Sequence, residues 1–370
     1  MIGLRVLHLA TSLHAAQTGD VLTAIAWLKQ QGHEVAFAAG DDADIPGVTI
    51  LRYRSGRASW WLGGKRALME QVTEWRPDVV HLHGREAMSA ARAIAKELTV
   101  PILVSIDDIL PPAKAKDLNH QSISWVLVPT EAHRAHYVSR AKLANDNVAQ
   151  LPYAFDFEKI INESKREAAP TQTLPVIGLF AVPGDQTTQA ILKVLEALHH
   201  SGIVFKVIIA YADADYEANL RETLFNESMN KWCELSWCPH LGMLLPLIDI
   251  FVMSSTERQV APIIAAMGAG RVVIAYAHTG VEEIIHHDQT GMMVSGGDND
   301  ALQKALSRVL MDPVERERMG TAAQTDARLR FDISVVGPAL VELYRNAINA
   351  LHHPENKGEG SRAYRRQITQ

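Results

Sequence analysis

Two histidines in "VVHLHG", His81 and His83, fall on one face of a strand-length run, as the two-residue period of a strand requires. Paired imidazoles are groups that ligate metals or handle protons. Two of them without a third ligand nearby make a poor metal site. His83, at the carboxyl end of the run, is the better candidate for ligand contact. Cys233, Cys238 and His240 lack a fourth ligand, so zinc is not expected there. The two Asp-Ala-Asp runs, 42–44 and 213–215, read as turns, because aspartate after a strand ordinarily closes one. No metal and no cofactor is expected anywhere in the chain.

A second group carries charge. Between Ile50 and Met69, Arg52, Arg54, Arg57, Lys65 and Arg66 accompany Trp60 and Trp61 without a single acid. A basic, aromatic stretch suits a membrane interface or an anionic lipid-linked acceptor. A solvated loop leading into a helix is the plainer alternative. In "HTGVEEII", Gly280 marks a strand-to-helix turn, with Glu282 and Glu283 in the first helical turn. Acids at that position complement the helix dipole, and the same carboxylates are available to a ligand.

These groups need elements to hold them. "LRVLHLA" (4–10) precedes "DVLTAIAWLKQQG" (20–32), where apolar residues recur at helical spacing and Gly32 ends the helix. "HEVAFAAG", "PDVVHLHG", "VPILVSID", "SWVLVPT" and "NVAQLP" continue the alternation. Strands apolar on both faces belong to a parallel sheet covered by helices. Their alternation with helices predicts a doubly wound α/β fold. The polar run "NESKREAAPTQTLP" (162–175) interrupts the pattern, which restarts with "VIGLFAV", "FKVIIAY", "IDIFVMS" and "RVVIAYA". The expected organisation is a first domain over 1–165 and a second over 172–333. A helix over 334–352 then crosses back to the first domain, followed by a tail over 353–370 too polar to fold.

At 370 residues the chain is long enough for two cores. A net charge of −6 argues against a nucleic-acid binder, which would carry a basic excess. Two cysteines cannot build a disulfide framework, so a reducing compartment is expected. No stretch approaches the ~18 apolar residues of a spanning helix, and the arginine inside the first apolar run argues against a signal peptide. The expected location is the cytoplasm, with peripheral contact at the inner face of the membrane left open.

From residue 254 onward the sequence resembles the C-terminal half of a family 4 glycosyltransferase of the GT-B fold, two Rossmann-like domains facing a cleft. The family pattern runs S-x-x-E-G-F-G, E-A-M-A-x-G, G-G-x-x-E, D-G-x-T-G and a D-P-x-x-R-x-x-M-G helix entry. Matching residues are Ser254, Glu257, Ala266–Met267, Gly270, Gly280, Glu283, Thr290–Gly291, Asp312–Pro313, Arg316 and Met319–Gly320. The resemblance implies a nucleotide-sugar donor held by the second domain and a glycan or lipid-linked acceptor on the first. It carries a donor-sugar contact onto Glu257, where a carboxylate accepts two hydroxyl donors at once.

The chain also departs from that pattern. The family's second glutamate, which holds the ribose, falls at Ala265. Its Gly-Gly loop is "HAAQTGD", with Gly19 alone, and its first-domain histidine falls at Asp107. The cations that usually neutralise the diphosphate are missing from "LFAVPGDQTTQAILK" until Lys193, leaving Arg258 and Arg271 as relocated candidates. Two function classes follow. One is a retaining glycosyltransferase of polysaccharide or glycolipid biosynthesis. The other is a catalytically silent GT-B protein that binds glycan or serves as scaffold to a partner glycosyltransferase.

Overall fold

The computed structural model describes residues 3–11, 19–39, 44–53, 64–107, 109–163, 174–181, 186–211, 215, 217–224, 229–238, 241–253, 260–278 and 280–353. The chain divides into two compact units, Met1–Phe155 with Ile333–Gln370, and Asp156–Asp332.

The first unit is built on seven parallel strands: β1 (Arg5–Leu9), β2 (Glu34–Ala39), β3 (Thr49–Arg52), β4 (Val79–His83), β5 (Ile102–Ser105), β6 (Ile123–Val128) and β7 (Val148–Gln150). Their order is β3-β2-β1-β4-β5-β6-β7, so the winding reverses between β1 and β4. Alternate residues feed two apolar layers. Leu7, Leu9, Val80, Leu82 and Val104 pack on one face. Val6, Phe37, Val79 and Leu103 pack on the other, together with Val336, Leu340, Leu343 and Tyr344 of the helix Ile333–His352. That helix therefore supplies part of the core of the first unit, and the ring of Trp27 lies directly over Gly337.

The second unit repeats the plan with β8 (Val176–Phe180), β9 (Lys206–Tyr211), β10 (Cys233–Trp237), β11 (Ile250–Met253), β12 (Val272–Tyr276) and β13 (Met292–Val294). The order β10-β9-β8-β11-β12-β13 again reverses at its first strand, between β8 and β11. The unit begins at Asp156, ahead of the residue 172 expected from the sequence, and Phe157 of the helix Phe157–Glu163 is fully buried against Gly268 of the helix Ala261–Gly268. Buried contact, and not the polar composition of 162–175, fixes where the first unit ends.

Much of the motif shared with the family is scaffold. The Asp312 carboxylate accepts from the Glu315 N–H at 3.0 Å and starts the helix Pro313–Phe331, with proline in its first turn. Arg316 donates to the Val309 carbonyl at 2.6 Å, tying that helix to the one before it. The His286 N–H donates to Thr290 Oγ1 at 2.9 Å, closing the turn before β13. Met319 is fully buried in the core. Among the described residues, no helix is long and apolar enough to cross a membrane.

Candidate functional site

In doubly wound sheets, ligands bind beyond the carboxyl ends of the strands, at the point where the order reverses. In the second unit that point lies beside β11, which the chain leaves at Met253 to enter 254–259. Glu257 and Arg258 fall in that segment, outside the described residues. The neighbouring strand β12 pairs with β11 from Ile250↔Val272 to Met253↔Ala275, so its exit loop leaves from the same edge. That loop carries Gly280, left-handed at φ 97°, ψ −27°, and then the short helix Val281–Ile284. A residue with a Cβ pays for this conformation, which explains the glycine. Glu283 is half-buried beside exposed Glu282. The Arg330 guanidinium donates to the carbonyls of Glu283 and Ile284, the latter at 3.2 Å, and pairs with Asp326 at 2.8 Å. The turn is thus held from below by a charged clamp that sequence reasoning did not single out.

Of the two relocated cations, Arg271 alone lies among the described residues. Arg271 immediately precedes β12 and stands at its amino end, the wrong end of the strand for a ligand at the carboxyl edge. Five residues at ~3.3 Å each separate it from that edge, beyond the reach of its side chain. Lys193 is exposed on the helix Gln186–His200. Ala265 is buried in the helix Ala261–Gly268 and offers no polar atom to a ribose.

In the first unit, Gly19 opens the helix Gly19–Gln30. Asp107 is exposed just beyond β5. Arg54, Arg57, Trp60 and Trp61 lie outside the described residues, while Lys65 and Arg66 are exposed at the start of the helix Lys65–Trp75. The acid-free character of this stretch ends one turn on: Arg66 Nε pairs with Glu70 at 2.8 Å. Arg66 is therefore partly neutralised within its own helix.

The histidines differ most from expectation. The pair at 81 and 83 does have a third imidazole beside it, because the parallel register sets His8 of β1 against His81 of β4. His8 Nδ1 and His83 Nε2 lie 2.8 Å apart, a hydrogen bond in which one ring nitrogen donates and the other accepts. His81 Nδ1 meets the Tyr344 hydroxyl at 2.7 Å and His81 Nε2 meets Ser105 Oγ at 2.8 Å. All three rings are buried, with centroids 4.4 to 5.2 Å apart. Burial, which penalises the charged form, holds His8 and His81 well below the ordinary histidine range and takes His83 down to about 4. The signal was present in sequence as a histidine inside the apolar run "RVLHL", but only strand order brings it to "HLH".

The cysteines are free and buried, and burial pushes the Cys233 thiol up to about 12, so it is inert near neutrality. Their companion His240 lies outside the described residues. So does most of both Asp-Ala-Asp runs, of which Asp44 and Asp215 are exposed.

Two family descriptions match this chain: Glycosyltransferase Family 4 over residues 21–159 and Glycosyl transferases group 1 over residues 173–312. The chain belongs to the family 4 glycosyltransferases of the GT-B fold. Within that setting it is 23% identical over 342 residues to a sulfoquinovosyl transferase of Arabidopsis thaliana, covering 82% of this chain and 65% of that protein. It is 28% identical over 101 residues to the lipopolysaccharide core biosynthesis glycosyltransferase LpsD of Rhizobium meliloti (strain 1021), covering 27% and 29%. The matched region thus spans less than two thirds of either relative. The crystal structure of Anabaena HepE in complex with UDP and glucose superposes with a TM-score of 0.72 at 16% identity, covering 92% of this chain and 98% of that one. At that identity the likeness speaks for the GT-B fold alone.

Proposed function

We propose that this family 4 protein transfers a sugar from a nucleotide-sugar donor to a glycan or lipid-linked glycan in polysaccharide or glycolipid biosynthesis. In this reading Glu257 accepts hydrogen bonds from the donor sugar, and the turn Gly280–Glu283 lines the same site. What supports it is that segments 254–259 and 277–283 leave adjacent parallel strands at one sheet edge, next to the reversal of strand order. UDP with glucose in HepE suggests the donor class, and the LpsD name suggests the acceptor class. Arg54, Arg57, Trp60, Trp61 and Lys65 are the proposed contact for an anionic acceptor or membrane surface. His83 is not used in this reading.

Thermal shift with a panel of UDP-, GDP- and ADP-sugars tests it, with Glu257→Ala as control. At 100 times its dissociation constant a donor stabilises the fold by about 2.7 kcal/mol, which is readily measured. The expected result is stabilisation by one donor class that Glu257→Ala abolishes. No shift with any nucleotide sugar would overturn the reading and leave the silent scaffold, with a partner glycosyltransferase, in its place. The acceptor surface is tested separately: binding to anionic vesicles is expected to weaken as salt rises and to fall in Arg54→Ala/Arg57→Ala.

A further inference from the structure

The buried histidine cluster has no part in the proposed transfer, and its proton count is incomplete. Only one proton fits between His8 Nδ1 and His83 Nε2 at 2.8 Å. If His8 donates it, His8 Nε2 is a bare lone pair. If His83 donates it, His8 Nε2 carries an unpaired N–H. Either way His8, with none of its surface exposed, keeps a buried nitrogen without a hydrogen-bond partner. A buried imidazole nitrogen left so is costly, and such an atom points to something it is meant to meet.

The neighbourhood selects what that is. One ring nitrogen from each of His8, His81 and His83 lies within 4.8 Å of the other two. We propose that His8, His81 and His83 bind one divalent transition-metal ion of the zinc class, joining β1 to β4 beneath the helix Ile333–His352. Three imidazoles with an open fourth position are an established zinc donor set. The absence of a carboxylate among the three disfavours magnesium and calcium, which want oxygen. Tetrahedral zinc with Zn–N near 2.0–2.1 Å sets its nitrogens about 3.3 Å apart, so side-chain rotation has to break the His8 Nδ1–His83 Nε2 contact and bring His8 Nε2, the unpartnered atom, to the metal. Tyr344, fixed to His81 Nδ1, orients that ring for ligation through Nε2, with Ser105 giving up its bond.

The test uses the full chain, freed of metal with EDTA and titrated with Co²⁺ by visible absorption, then with Zn²⁺ as competitor. The expected result is a tetrahedral cobalt band that saturates at one equivalent and is displaced by one equivalent of Zn²⁺. The band should vanish in His8→Gln and in His83→Gln, and persist in a control altered at the exposed pair, His286→Gln/His287→Gln. Tyr344→Phe should keep the band and weaken binding by roughly 10- to 100-fold. Far-ultraviolet circular dichroism checks folding, and if His8→Gln does not fold, His83→Gln alone decides. A folded wild-type chain with no band at one equivalent overturns the proposal and leaves a buried water as the partner of His8. A band that survives His83→Gln also overturns it.

Discussion

Asp288 illustrates how one residue can depart from a family pattern and still satisfy its geometry. The family has glycine here, in D-G-x-T-G, and Asp288 sits in the left-handed region at φ 63°. Aspartate tolerates that region better than most side chains, and it gains Arg308 at 2.6 Å. Arg308 also holds Glu315, which Arg318 Nε pairs at 2.7 Å. Hydrogen bonds from Arg318 and then Arg308 keep the Glu315 carboxyl at about 2, below its ordinary 4.5. A carboxyl lowered on folding stabilises fully above its unfolded pKa, and the effect is lost as pH falls through the folded one. The wild-type urea midpoint should therefore fall between pH 4.5 and 2, and less steeply in Glu315→Gln. Parallel profiles for the two proteins would remove Glu315 from the acid response.

At the scale of elements, the central strands and the edge strand β7 were legible, and the other edges were not. β3, β10 and β13 escaped the apolar pattern, and all three lie at sheet edges. An edge strand has one neighbour and need not be apolar on both faces. In β3 only Leu51 is buried, and in β10 only Cys233. Packing between elements was equally hidden. A Cβ added to Gly268 would stand 1.9 Å from the Phe157 ring, in a fully buried contact. Gly268→Ala is expected to cost about 1–3 kcal/mol through overpacking. Gly268→Ala/Phe157→Leu should recover part of it, as measured by urea unfolding. A neutral Gly268→Ala would mean the helix Phe157–Glu163 yields without cost.

For the whole molecule, the chain order of the units matters more than their sequence lengths. The first unit is completed only by residues that follow the second, since Ile333, Val336, Leu340, Val341, Leu343 and Tyr344 are buried in its core. Each such side chain contributes roughly 1.5–3 kcal/mol on burial, and a domain has only about 5–15 kcal/mol of net stability. A chain ending at Asp332 should therefore lose the folded first unit and keep the second. Limited proteolysis should then leave a protected fragment near residues 156–332. Protection of residues 3–155 in the shortened chain would contradict this account.

By itself the sequence determined the parallel α/β class, the interruption between two sheets, and the family through short motifs. These are local or periodic signals, carried by side chains a few residues apart. It also marked Gly280 and the capping pair Asp312–Pro313, because turns and helix starts are local chemistry. Only the tertiary structure decided that His8 meets His81 and His83 and that Arg330 clamps the Glu283 turn. Those facts depend on which strands are neighbours and on which helix packs against which turn. Strand order and register come from long-range packing, and the residues concerned lie as far apart in sequence as His8 and Tyr344.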